Sequence, residues 1–260
     1  MIARTSQEYA WLREGGSRLG AVLAEVAQAV HPGVSLRELD ALAERLIRAT
    51  GGAPAFKGYR PPYAALAYPG TLCTSVNDEV VHGMPTRDVV LQEGDLIGLD
   101  IGMRWPAAGG LFTDTAVTVG VGRITPDMQR LRAVTEEALA AGMAQAVVGH
   151  RIRDIARAVQ RVVERAGYSV VRDLVGHGVG RAVHEAPQVP NFWDRGQTDG
   201  VLSDGLVIAI EPMVTAGRPE VHTLADGWTV ATVDGSRSAH FEHTVLMTSE
   251  GTEVLTRPSP

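Results

Sequence analysis

The feature that most constrains this chain is that its pattern runs twice. Helix-like and strand-like stretches follow in the order helix, helix, strands, then helix, helix, strands, and an internal repeat decides architecture before any motif does. Short words of the first round return in the second. Ala27-Gln-Ala-Val30 returns as Ala144-Gln-Ala-Val147, Leu36-Arg-Glu-Leu39 as Ile152-Arg-Asp-Ile155, and Arg45-Leu-Ile47 as Arg161-Val-Val163. Gly51 matches Gly167, Val81-His-Gly-Met-Pro85 matches Val183-His-Glu-Ala-Pro187, and Val90-Leu-Gln-Glu-Gly94 matches Val201-Leu-Ser-Asp-Gly205. Each match is short, but all keep the same order. We read an ancient duplication into halves spanning about 6–122 and 125–256, folded as one α/β (α+β) domain over 1–260 with pseudo-twofold symmetry.

The local signals agree. Thr5 with Glu8 resembles a capping box for a helix over 6–30, carrying Leu12, Leu19, Val22, Leu23 and Val26 at helical spacing. Ser35 with Glu38 opens a second helix with the stripe Leu36, Leu39, Ala43, Leu46, ended by Gly51-Gly52. Thr125-Pro126 opens a third, with proline where its missing N–H costs nothing. A fourth runs from about 151 to 166. Between them lie β-prone runs such as Val89–Ile101 and Thr115–Val121, and 168–256 is again β-rich.

The duplication also selects polar residues in pairs: Asp100 with Glu211, Asp114 with Glu242, and His82 with His184. Each carboxylate lies in or beside an apolar run (LIGLDIG, FTDTAVTV, LVIAIEP, HFEHTVLM). Burying a carboxylate there is expensive unless it is paired or holds a cation. No matching set of Lys or Arg lies in these runs, so a divalent metal pair is the economical counter-charge. Strand alternation puts Gly98 and Gly102 on the face of Asp100 and Ala209 on that of Glu211, leaving room beside the acids, while Ile97, Leu99, Ile101, Ile208 and Ile210 face a core. His177, flanked by glycines in Gly176-His-Gly-Val-Gly180, would add one imidazole. The same glycines suit a phosphate loop poorly, because no Lys-Ser/Thr follows. An oxygen-rich set with one nitrogen suits Mn²⁺, Fe²⁺, Co²⁺ or Zn²⁺ in a working site rather than a structural zinc.

Composition removes other classes. A formal charge of −6 with no basic cluster argues against nucleic acid as substrate. No apolar run reaches the ~18 residues of a membrane span. A single cysteine, Cys73, excludes an internal disulfide framework and suits a reducing cytoplasm, and the polar N-terminus does not read as a signal peptide.

Eight segments then carry a specific resemblance. Phe56-Lys-Gly-Tyr59, Cys73–Pro85 (CTSVNDEVVHGMP), Gly94–Asp100 (GDLIGLD), Gly176–Arg181 (GHGVGR), His184–Val189 (HEAPQV), Ile210–Val214 (IEPMV), Asp226–Val230 (DGWTV) and Phe241–Thr244 (FEHT) run in order from 56 to 244. Together they resemble the type I methionine aminopeptidases, a family of "pita-bread" fold in which a curved antiparallel sheet encloses a dinuclear metal site. The resemblance implies a short form without N-terminal extension and without the helical insertion of type II enzymes.

The resemblance implies metal-dependent removal of the N-terminal methionine from peptides and nascent proteins whose second residue is small, in the cytoplasm, near the ribosome, by a monomer. Asp100, Asp114, His177, Glu211 and Glu242 would bind two divalent ions, with Asp114 and Glu242 shared. Glu211 would also handle the proton, and His82 and His184 would act on the substrate. Tyr59, Tyr68, Cys73 and Trp228 would line the methionine pocket, and a monovalent cation would lie near Asn77 and Ser238. Three departures stand out. Thirteen residues separate Asp100 from Asp114, where the family has about ten. The link 60–67 between Tyr59 and Tyr68 is long, with Tyr63 as a candidate replacement aromatic. His240 replaces a common Gln, on the face of Glu242 if the strand is regular. The rivals are a proline-specific peptidase of the same fold, which needs a larger chain, and a metal-free binding protein, which would have lost ligands.

Overall fold

The computed structural model describes residues 1–62, 64–197 and 199–257. Four helices form, the first three where the caps predict them: α1 Ser6–Gln28, α2 Leu36–Ala49, α3 Pro126–Met143 and α4 Ile152–Arg165. The Thr5–Glu8 and Ser35–Glu38 capping boxes are both closed, each side chain accepting the other residue's backbone N–H. In α4 only half of the device survives: the Asp154 carboxylate accepts from the Arg151 N–H at 2.9 Å, and Arg151 offers no oxygen in return. Gly51 and Gly167 end α2 and α4 with φ of 82° and 83°, a conformation that glycine adopts without strain.

The main sheet is antiparallel and joins both halves. Its path runs Ala53–Pro54, Leu96–Trp105, Leu111–Gly120, Glu242–Thr248, Val207–Ile210, Gly176–Gly178, Glu185–Val189. Leu72–Val76 also pairs with Leu96–Trp105, and Gly251–Val254 with Glu242–Thr248. The halves meet where Leu111–Gly120 lies against Glu242–Thr248, with Glu242 opposite Ala116. The sheet curls into the pita-bread half-barrel. On its outer face, α1 and α2 cover Ile97, Leu99 and Ile101, while Ile208 and Ile210 pack with Leu139, Ile152 and Ile155 from α3 and α4. The alternation read from the sequence therefore leaves the carboxylates on the inner face.

Equivalent backbone bonds recur in the two stretches matched by sequence. Ser35 bridges Val90 and Arg151 bridges Val201. The Gly33 N–H donates to Leu91 O at 2.8 Å, and the Gly149 N–H to Leu202 O at 2.9 Å. The Gly94 N–H donates to Val121 O and the Gly205 N–H to Met247 O, both at 2.8 Å.

One strand differs from its sequence reading. Val89–Ile101 is not continuous: the strand begins at Leu96, and 92–95 form a turn in which the Asp95 carboxylate accepts the Gln92 N–H and Gly94 takes φ 90°. The β-prone run is real, but the Glu-Gly-Asp within it prefers the turn. The long Asp100–Asp114 segment is accommodated by extending the hairpin, whose strands stay in register out to Trp105 opposite Leu111.

Candidate active site

Asp100 and Asp114 sit on adjacent strands of one hairpin, with Cys73 and Ala116 opposite Asp100 and Gly102 opposite Asp114. The peptide of Asp114 is held from the other half: its N–H donates to Thr244 Oγ1 at 2.9 Å, and the same hydroxyl donates back to Asp114 O at 2.7 Å. Glu242 begins the strand that carries Thr244, and Glu211 lies one residue past Val207–Ile210, with its carbonyl accepting from Asn191 Nδ2 at 3.0 Å. His177 lies on the three-residue strand Gly176–Gly178, whose flanking glycines have backbone carbonyls where a Cβ would stand.

Five proposed ligands, both substrate-side histidines and all four pocket residues line one cavity: Tyr59, Tyr68, Cys73, His82, Asp100, Asp114, His177, His184, Glu211, Trp228 and Glu242, joined by Phe56. Donor atoms within 4.8 Å of one another form three groups among the described residues: Asp100, Asp114 and Glu242; His177, Glu211 and Glu242; and Asp114, His177 and His184. Asp114, Glu242 and His177 each belong to two groups, whereas Asp100, Glu211 and His184 belong to one.

The electrostatics ask for cations. Asp114 and Glu242 are buried, and among the described residues Asp100 Oδ1 and Glu242 Oε1 are sealed from solvent without a hydrogen-bond partner. Burial raises the Asp100 pKa to about 7. Burial, then repulsion from neighbouring acids, pushes Asp114, Glu211 and Glu242 well above the usual carboxylate range. His177 Nδ1 lies 3.0 Å from Gly178 O. A carbonyl only accepts, so Nδ1 carries the proton and Nε2 presents a lone pair. That Nε2 faces Glu211 Oε1 at 3.4 Å, and burial, then His184, hold the ring neutral with a pKa of about 3. A lone pair facing a carboxylate, above orphaned carboxylate oxygens, is a donor set that a divalent ion completes.

The apolar wall is a cluster of Phe56, Tyr68, Cys73, Val183 and Trp228. Tyr68 stands edge-on to Trp228 with centroids 5.2 Å apart, and its hydroxyl donates to Gly83 O at 2.8 Å. The ends of the long link are tied together, the Tyr68 N–H donating to Tyr59 O at 2.8 Å and the Gly58 N–H to Tyr68 O at 2.9 Å, and Trp228 Nε1 donates to Leu66 O at 3.2 Å. Tyr63 lies outside the described residues. Phe56, the first residue of the Phe56-Lys-Gly-Tyr59 motif, is a further wall residue. A β-carbon on Gly102 would sit 2.8 Å from its ring. The space beside Asp100 on that side is therefore taken by Phe56 rather than left open for metals.

His184 Nδ1 lies 3.0 Å from the Tyr59 hydroxyl, and its ring is 4.4 Å from that of His177. His82 stands edge-on to Trp228 at 6.2 Å. Asn77 and Ser238 are neighbours, the Ser238 N–H donating to Asn77 O at 2.9 Å, and Arg237 donates to Asn77 Oδ1. His240 is buried, with Nε2 3.7 Å from Glu211 Oε2.

Fold and site together define a metallopeptidase of the pita-bread class. Residues 10–249 match the model of metallopeptidase family M24, and the chain belongs to that family. It is 44% identical over 257 residues to methionine aminopeptidase 1 of Bacillus subtilis, covering 99% of each chain. Among solved structures it superposes on methionine aminopeptidase from Thermotoga maritima with a TM-score of 0.91 at 41% identity, over 99% of this chain and 100% of that one. On the Rickettsia prowazekii enzyme the TM-score is 0.90 at 34% identity, over 98% of this chain and 100% of that one.

Proposed function

We infer that this chain is a type I methionyl aminopeptidase, which hydrolyses the N-terminal methionine from peptides and nascent proteins with a small second residue. One observation carries the reading: the acidic and imidazole donor groups and the Phe56–Tyr68–Cys73–Trp228 wall line the same cavity. An aromatic, sulfur-bearing wall suits an unbranched thioether. Residues 1–260 would act as one catalytic domain built from the two repeats.

Asp100, Asp114, His177, Glu211 and Glu242 would hold two divalent ions, with Asp114 and Glu242 shared between them, as the resemblance to the methionine aminopeptidases implies. Once bound, the ions would supply Lewis acidity that activates water and polarises the scissile carbonyl. Mn²⁺, Fe²⁺, Co²⁺ and Zn²⁺ all suit an oxygen-rich set with one imidazole. Glu211, with an accepting oxygen at the cavity, would hold the proton in transit. His184, oriented by the Tyr59 hydroxyl, would stabilise charge developing on the carbonyl oxygen. His82 would hydrogen-bond the peptide beyond the scissile bond. A monovalent cation near Asn77 and Ser238 would share that turn with Arg237. The substrates are nascent polypeptide N-termini, met in the cytoplasm near the ribosome by a monomer.

The test is tripeptide hydrolysis. Met-Ala-Ser should be cleaved far faster than Met-Ile-Ser or a Lys-initiated peptide, chelation should abolish the activity, and Mn²⁺ or Co²⁺ should restore it. Equal rates for Met-Ala-Ser and Met-Ile-Ser, or preference for the Lys-initiated peptide, would overturn the assignment.

A further inference from the structure

We propose that His240 is a positioning residue that donates a hydrogen bond from Nε2–H to Glu211 Oε2 and so sets the orientation of that carboxylate. The inference rests on the aminopeptidase reading only for what Glu211 does; the contact itself stands on geometry.

His240 is 2% exposed, and its Nε2 has no hydrogen-bond partner among the described residues. A buried polar atom without a partner is costly and calls for a physical account. The nitrogen is aimed at Glu211 Oε2, 3.7 Å away. That is ion-pair distance, and a shift of ~0.7 Å brings it to a formed hydrogen bond. Both main chains are pinned. The His240 N–H donates to Thr118 Oγ1, and that hydroxyl donates back to His240 O, both at 2.8 Å, while His240 pairs with Met213 across the strand Met213–Thr215. Asn191 holds the Glu211 carbonyl. The adjustable element is therefore the Glu211 side chain. Its two oxygens are bracketed by imidazoles, Oε1 by His177 and Oε2 by His240.

The two rings are not equivalent. His177 presents a lone pair and belongs to two of the groups of converging donor atoms, whereas His240 belongs to none. A ring near a ligand carboxylate but outside the donor groups serves by orienting the ligand, and such partners are worth roughly 10- to 100-fold in metal affinity or activity.

Glutamine and asparagine separate this role from bulk packing. The Gln amide nitrogen reaches the place of His Nε2, whereas that of Asn falls near Nδ1. His240→Gln should keep Mn²⁺ affinity, measured by titration calorimetry, within about threefold, whereas His240→Asn should weaken it about 10- to 100-fold. The Asn variant should lose kcat on Met-Ala-Ser with KM little changed. In a Glu211→Ala background the Gln-to-Asn difference in Mn²⁺ affinity should vanish, because both accepting oxygens are gone. Equal behaviour of the Gln and Asn variants would overturn the proposal. So would His240→Ala binding fewer Mn²⁺ ions than the unmodified chain, which would make His240 a ligand. If the unmodified chain fails to cleave Met-Ala-Ser but the difference in Mn²⁺ affinity persists, the aminopeptidase reading falls and the role of His240 stands.

Discussion

The two halves share a skeleton and divide the labour unequally. Each anchors its second helix on a short antiparallel bridge, turns through a positive-φ glycine into a central strand, and delivers carboxylates to the inner face of the sheet. The N-terminal half supplies Asp100 and Asp114 together with Phe56, Tyr68 and Cys73. The C-terminal half supplies Glu211 and Glu242 together with His177 and Trp228. Strand register shows where the symmetry ends. Ser75 lies opposite Gly98, and Gly178 opposite Ile208, which sets His177 across from Ala209. With Asp100 matched to Glu211, Ser75 is the counterpart of His177. Its hydroxyl accepts the Gly83 N–H at 3.2 Å and so closes a loop, where His177 turns a lone pair to the cavity. Equivalent backbone bonds frame both halves, and differences at single positions on that frame place an imidazole at the cavity in one half and a loop-closing hydroxyl in the other.

The carboxylates test that division with the largest expected effect. Among the acids, Asp114 and Glu242 are the more deeply buried and each belongs to two donor groups, as His177 also does, whereas Asp100 and Glu211 belong to one. Glu242→Gln and Asp114→Asn should therefore each lose most bound Mn²⁺ and about a thousandfold or more in turnover, equivalent to roughly 4 kcal/mol. Asp100→Asn should retain more metal than either, and Glu211→Gln should keep the fold while losing turnover. Elemental analysis after dialysis, beside kcat, decides this. If Asp100→Asn loses as much metal as Glu242→Gln, shared and unshared carboxylates are not distinct.

A smaller effect separates the histidines. His177→Ala should weaken Mn²⁺ binding, while His82→Ala and His184→Ala should keep it and lose about 10²- to 10⁴-fold in turnover. His184 makes this sharp, because its ring also falls within reach of Asp114 and His177. Calorimetry showing the same metal loss in His184→Ala as in His177→Ala would move His184 from the substrate to the metals.

What the sequence made legible follows from where physics constrains residue type. A carboxylate in LIGLDIG has few explanations, so the pattern singles out the acids that the fold brings to one cavity; Gly94 and Gly205 recur because the same positive-φ turn recurs. Strand alternation assigned Ile97, Leu99 and Ile101 to the core correctly. Local pattern could not show that Phe56 would fill the space over Gly102, because that contact joins a loop to a strand 46 positions away. Nor could it show that Thr244 would hold Asp114 across 130 positions, since threonine on a strand is ordinary. Alternation put His240 on the face of Glu242, and only the tertiary packing shows its ring buried beside Glu211.

The smallest effect concerns the frame itself. Gly94 and Gly205 are repeat partners with φ of 90° and 77°, and their N–H groups make equivalent bonds to Val121 O and Met247 O. Alanine at either position is strained by its φ, at a cost of about 1 kcal/mol. Their surroundings differ. A β-carbon at 94 would meet only Arg123 O at 3.8 Å, whereas at 205 it would stand 2.4 Å from Ala3 O. That oxygen belongs to the segment that pairs Ile2 with Leu206 and donates the Ala3 N–H to Gly205 O at 2.7 Å. Gly205→Ala must displace this segment as well as strain the turn, so it should cost about 2–3 kcal/mol. Urea melts of the two variants read the difference directly. Equal losses would mean that residues 1–3 contribute nothing to the second half, and the asymmetry of the halves would then be confined to the cavity.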